Sequence, residues 1–385
     1  MNFPIDIICH ISNFVDDINF KLLNKAINEE ISKIECTDMW KVVYEKYFEK
    51  NKKILFTPLK GSYNWKKEYF RVKNYKFWHL FNKKMLENNE INLNNKMLSS
   101  LPKEIGNLIN LKSLDICRIK VKELPEEITN LVNLKTLKIC DCYLIKFPRQ
   151  MDKLVNLKIL WLQHIPLCMP AEIFNLTQLV DLMVTSLRIE EIPDTIEKLV
   201  NLEKLYFKNN DMKKISNKIK GLTKLRSVTI TKNKLNEIIP EITTLMSLEN
   251  ANFSHNKIKY LPAIRNNFGL QYFYLNNNMI ETISKDFCNL SNLLCLDLSY
   301  NKIKSIPPEF ANMNNLKFIA LNYNKISTMP KEISSLNLNR IDLNHNKFSE
   351  IPIEFSNFAN RTVIILTNNN ISVVPEQLKH LDIKL

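Results

Sequence analysis

The stretch NLLCLDLSYNKIKSIPPEFANM, residues 292–313, is followed by NLKFIALNYNKISTMPKEISSL, residues 315–336, and both match NLKSLDICRIKVKELPEEITNL, residues 110–131. Each reads LxxLxLxxNxLxxLP or a close variant, and the pattern returns every 22 or 23 residues. Anchored on the third apolar residue of the strand, thirteen copies stand in register: Leu93, Ile116, Ile139, Leu162, Val184, Phe207, Ile230, Phe253, Leu275, Leu298, Leu321, Leu343 and Leu366. Thirteen matches at a fixed period mean an array of stacked units, none of which can bury its apolar face alone. The LxL alternation is that of a half-buried strand, with leucines inward and the intervening residues outward. An asparagine three residues past the anchor turns inward, where its amide can bond the backbone of neighbouring turns. Asn210, Asn233, Asn256, Asn278, Asn301, Asn324, Asn346 and Asn369 form that ladder.

The first five copies carry Lys96, Ile119, Cys142, Ile165 and Leu187 instead. An unpaired buried backbone group costs on the order of 1–3 kcal/mol, so a looser or differently curved first third is expected. Pro102, Pro125, Pro148, Pro193, Pro307, Pro330, Pro352 and Pro375 follow the strands on the return path and prevent a second long sheet there. The expected fold is an α/β solenoid with one parallel sheet on its concave side. Over residues 88–385 the chain resembles the leucine-rich-repeat family, and LPxEIxxLxNL most resembles its intracellular Ras-group type. That resemblance implies a binding scaffold, with a small GTPase or phosphatase as partner.

Composition narrows the function. Only four glycines occur, Gly61, Gly106, Gly221 and Gly269, too far apart for a phosphate-cradling loop or a GxGxxG fingerprint. Against them stand 51 asparagines and 46 lysines, a bias toward A/T-rich codons that resembles proteins of slime moulds or amoeba-infecting giant viruses. Eight scattered cysteines and a start without signal-peptide character predict reduced thiols in an intracellular protein. No apolar run is long enough for a membrane span, so no membrane partner is expected. The net charge of +14 raises nucleic-acid binding, which depends on where the charge sits.

On the expected concave face, Trp161, Tyr206, Tyr272, Tyr274, Tyr300, Phe318 and Tyr323 point outward as a target-protein site. Their β-propensity is the plainer explanation. Charge on this face balances: Arg118, Lys138, Lys204, Lys208, Lys232 and Arg340 against Glu90, Asp115, Asp141, Asp181, Asp297 and Asp342. That leaves no electropositive track for phosphates and disfavours nucleic acid. Asp141, His164 and Ser186 occupy one position in successive copies, in the order of a hydrolase triad, but polar residues fill this position nearly everywhere. Cys117 and Cys140 fall on adjacent strands, compatible with a metal, a disulfide or, above all, free thiols. The reading is non-enzymatic, without cofactor.

Before residue 88 the repeat stops and helical spacing replaces it. FPIDIICHISNFV (3–15), LLNKAINEEI (22–31) and MWKVVYEKYF (39–48) suggest three helices, which could simply cap the solenoid. The same three stretches resemble an F-box: Phe3–Pro4 for its Leu-Pro start, the IxxxIxxFV spacing, and Trp40–Lys41 near its end. The resemblance implies an all-α domain over residues 1–48 that binds a Skp-type adaptor through Pro4, Ile8, Ile11, Val15, Leu22, Leu23 and Trp40. F-box plus leucine-rich repeats implies a substrate receptor of a Skp–cullin–F-box ubiquitin ligase. Residues 49–87 are basic and aromatic, with Trp65, Tyr69, Phe77 and Trp78 among them; such interleaving suits RNA or anionic lipid, but the segment reads first as a helical neck.

Overall fold

The computed structural model describes residues 89–385, apart from 96–97, 167–168 and 265–268. The F-box-like segment 1–48, with Pro4, Ile8, Ile11, Val15, Leu22, Leu23 and Trp40, and the basic neck 49–87 lie outside the described residues. Fourteen strands follow one another in chain order in a single parallel sheet, from Glu90–Asn92 to Asp382–Lys384. Six contain the anchors read from the repeat, Ile116 to Ile230, and in seven others the anchor directly follows the strand; each anchor is no more than 1% exposed. The fourteenth, Asp382–Lys384, pairs with Val363–Ile365. Neighbouring strands pair without slippage, as in Ile116–Ile139–Leu162–Val184–Phe207–Ile230. A shift of one residue would turn every leucine outward, so burial itself holds the register.

On the return path the chain makes 3-10 turns, and no α-helix occurs among the described residues. Prolines precede most of these turns, and their carbonyls accept the first hydrogen bonds, as Pro125 does from Ile128 at 3.0 Å. Beyond isolated bridges, pairing on this side is confined, among the described residues, to Glu191–Ile192 with Lys214–Ile215. Glycine is required where turns come closest: a Cβ on Gly106 would meet the Glu127 carbonyl of the next copy.

All eight ladder asparagines turn inward. Asn301 is typical: its Oδ1 accepts from the Ile280 amide at 3.0 Å, while Nδ2 donates to the Leu275 and Leu298 carbonyls, both at 3.0 Å. One side chain thus joins two copies. Where Cys142 takes this place, its thiol lies 3.2 Å from the Ile116 carbonyl and 3.3 Å from that of Cys140, the same acceptor positions an amide would use. Ile119, Ile165 and Leu187 fill their positions with buried apolar volume. Copies two to seven have five-residue strands, whereas those from Asn250–Asn252 onward have three. In three later copies, Asn252, Asp297 and Asp342 accept from the amide two residues ahead and turn the strand end into a side-chain-bonded loop.

A second feature was not anticipated. The residue two past the anchor has a φ between 49° and 61° in all thirteen copies: Asn95, Arg118, Asp141, His164, Ser186, Asn209, Lys232, His255, Asn277, Tyr300, Tyr323, His345 and Asn368. None is glycine and none is β-branched. Asn, Asp and His, which tolerate this conformation best, fill eight of the thirteen places.

Two stability predictions follow from these ties. Asn301→Ala strands the Ile280 amide and is expected to cost ~2 kcal/mol in urea unfolding followed by circular dichroism. At Asn277, substitution by valine costs about 1–2 kcal/mol, while glycine leaves the midpoint nearly unchanged. Equal effects of valine and glycine would contradict the conformational explanation.

Candidate functional site

The outward side chains of the sheet fall into rows that cross the strands, because each copy repeats the same register. Along one row, Trp161, Met183 and Tyr206 are neighbours, and three strands beyond Tyr206 comes Tyr274, followed by Asp297. A parallel row runs Tyr272, Cys295, Phe318. The seven aromatics therefore separate into a pair around copies four to six and a group of five in copies nine to eleven.

The pair is partly occupied by its own neighbours. The Lys138 ammonium lies 3.9 Å from the centre of the Trp161 ring, and the indole Nε1–H donates to Asp181 at 3.3 Å. Burial pushes the Asp181 carboxyl above its ordinary range, opposed by the indole hydrogen bond and by the cations of Lys204 and Lys138. Trp161 is thus a half-buried, internally satisfied residue.

The group of five is more open. Tyr300 and Phe318 are 45% and 47% exposed and Tyr323 is 38% exposed, more open than the half-buried Trp161 and Tyr206. Tyr300 and Tyr323 occupy the left-handed row, so their rings stack at 4.1 Å between centres and 11° between planes. His345, one copy on, continues the stack at 4.0 Å, and its Nε2 is 3.0 Å from the Asn368 amide. His345 was missed from sequence, although its place two residues past an anchor, as for Tyr300 and Tyr323, was signal enough. Tyr272 and Tyr274 are half-buried on one strand, and burial, followed by the Cys295 thiol, raises the Tyr274 phenol.

The left-handed row also settles the geometry of the triad-like residues. His164 Nδ1 lies 2.8 Å from Asp141 Oδ1, and Arg118 flanks the same carboxylate at 3.9 Å. No hydrogen bond joins His164 to Ser186, whose Oγ accepts from Asn209 Nδ2 at 2.8 Å. Without a bond from His164 to Ser186, nothing draws the hydroxyl proton away. Cys117 and Cys140 are register partners, and the five described cysteines are free. Cys117 shares its hydrogen bond with Cys140, which raises the first thiol and lowers the second. Among the described residues no group of three or more His, Cys, Asp or Glu is placed to hold a metal. Nor is any helix among them long and apolar enough to cross a membrane.

Comparison with known proteins agrees with this geometry. A family model described as leucine-rich repeat region matches residues 126–250, and one described as leucine rich repeat matches 268–326 and 296–348. A solved leucine-rich-repeat protein of Leptospira interrogans is 28% identical with a TM-score of 0.62, over 76% of this chain and 83% of that one. An internalin of Listeria monocytogenes is 21% identical with a TM-score of 0.65, over 77% and 86% of the two chains, and shows likeness of fold. The plant peptide hormone receptor RGFR1, solved in complex with RGF2, is 25% identical with a TM-score of 0.61. The match covers 73% of this chain and 51% of that receptor, about half its length. No curated protein matches the chain.

The buried thiols give a prediction in pH. The thiolate is the reactive form, and burial pushes Cys288 up to about 12, so at pH 8 it stays protonated. Iodoacetamide is expected to spare Cys288 in the folded protein and to label it after unfolding, with a folded-state rate that climbs as pH rises toward 12. Labelling at pH 8 as fast as that of a free cysteine peptide would contradict this.

Proposed function

Since this chain belongs to the leucine-rich-repeat proteins, whose solenoids are protein-interaction scaffolds, we propose that it recruits a target protein on its concave face and presents it to a ubiquitin ligase. The observation that carries target binding is the ring stack of Tyr300, Tyr323 and His345, with Phe318 exposed at the start of the strand that leads to Tyr323. Rigid aromatic side chains lose little freedom on binding and dominate interface energetics. Tyr272, Tyr274, Tyr206 and Trp161 extend the contact surface along the sheet. The sequence of residues 3–48 supports the second half of the reading, with Pro4, Ile8, Ile11, Val15, Leu22, Leu23 and Trp40 holding a Skp-type adaptor. The protein performs no chemistry; it raises the concentration of target near the ubiquitin-loading enzyme. Five free cysteines among the described residues suit an intracellular site of action.

Pull-down of the full chain with a eukaryotic Skp-type adaptor tests the ligase half. Binding that is lost on deletion of residues 1–48 is expected. Failure to bind, where a proven F-box protein binds, leaves the scaffold for a small GTPase or phosphatase in its place. For the concave face, Tyr300→Ala with Tyr323→Ala should lower target affinity at least ~30-fold, the range of two hot-spot side chains, without moving the unfolding midpoint.

A further inference from the structure

Charge on the concave face balances in total but not in place. Along the strand Lys204–Lys208, the alternate side chains Lys204, Tyr206 and Lys208 face outward. The next strand sets Ser227 and Thr229 opposite Lys204 and Tyr206, and Lys232 follows it, exposed, in the left-handed row. Other concave cations are engaged: Lys138 lies over Trp161, Arg118 beside Asp141, and Arg340 against Asp342 at 3.3 Å. Lys204 has Asp181 as register partner. Lys208 and Lys232 have no carboxylate within ion-pair distance among the described residues. Two ammonium groups without a carboxylate partner, on neighbouring copies, make a place for carboxylates.

We infer that the target segment held on this face is acidic where it crosses Lys208 and Lys232, and carries an aromatic or aliphatic residue about four positions away. The inference rests on the reading that the concave face binds a protein, and it names the chemistry of what is bound. Tyr206 and Tyr274 are three strands apart. At ~4.8 Å per strand that is about 14 Å, which extended chain at ~3.3 Å per residue spans in about four residues. A continuous polyanion fits poorly, because the same row passes through neutral Asn252 to Asp297, and a nucleic acid would bring phosphates onto that carboxylate.

Fluorescence anisotropy with the full chain tests this directly. The probe is a labelled twelve-residue peptide with three consecutive glutamates and a phenylalanine four residues beyond; the same peptide with glutamines and a twelve-nucleotide oligothymidylate are compared with it. The acidic peptide should bind at least tenfold more tightly than the glutamine peptide. Lys208→Gln with Lys232→Gln should lose that tenfold, and Lys208→Arg with Lys232→Arg should keep it, since arginine retains the charge. Equal affinity of the two peptides, full affinity of the glutamine variant, or tighter binding of oligothymidylate overturns the inference. A natural target that is lost with the Tyr300 and Tyr323 substitutions but kept by the Lys208→Gln, Lys232→Gln protein also overturns it, and leaves concave-face binding standing.

Discussion

The asparagine amide that reaches from one turn to the previous one is the interaction on which the rest depends. Its Oδ1 takes a loop amide of the preceding copy, and its Nδ2 returns a bond to that copy's anchor carbonyl, as Asn324 does with Ile303 and Leu298. Both bonds exist only if successive copies stay in step. The amide therefore enforces the register that leucine burial favours, and buries its own polarity by doing so. Once the step is fixed, every outward side chain has a neighbour of the same repeat position on each flank. Surface chemistry on this molecule is consequently written in rows.

The left-handed row shows how strongly this constraint acts. Lysine, arginine and tyrosine enter a conformation they ordinarily avoid because the turn after the strand demands it thirteen times. The same backbone turn gives each of these side chains the same direction. Asp141 consequently meets His164, Asn209 meets Ser186, and Tyr300 meets Tyr323. A triad-like sequence order and an aromatic stack arise from one geometric cause, and what differs is whether the neighbours share a bond or a face. For His164 and Ser186 they share neither, so the row does not link Asp141, His164 and Ser186 into one hydrogen-bonded chain.

Most of the solenoid was legible because its signals are periodic. The anchors, the inward asparagines and the outward rings all follow from counting residues past a leucine. The five-residue strands of the early copies were not legible, since their length is set partly by whether a side chain competes with the ladder, as Asp297 does for the Ser299 amide. The asparagine of each LxNL was also passed over; Asn133 and Asn156 use it to donate to the Ile109 and Val132 carbonyls on the return side. Its partner lies 24 residues back, a distance at which local reading offers no cue. The internal engagement of Trp161 depends on Lys138 and Asp181 from two other strands, partners that no pattern within its own copy names.

Four glycines first argued against a nucleotide enzyme, and the structure gives their scarcity a physical side: asparagine and histidine take up much of the left-handed backbone that glycine usually supplies. What results is a rigid face with an open aromatic end and a basic centre. Site-specific photo-crosslinking tests most directly whether that face is the working surface. With benzoylphenylalanine placed at Thr229, on the concave sheet, the account predicts a covalent adduct with a partner protein. Placed at Lys331, on the return side, the same group should give none. Adducts from Lys331 but not from Thr229 would contradict it.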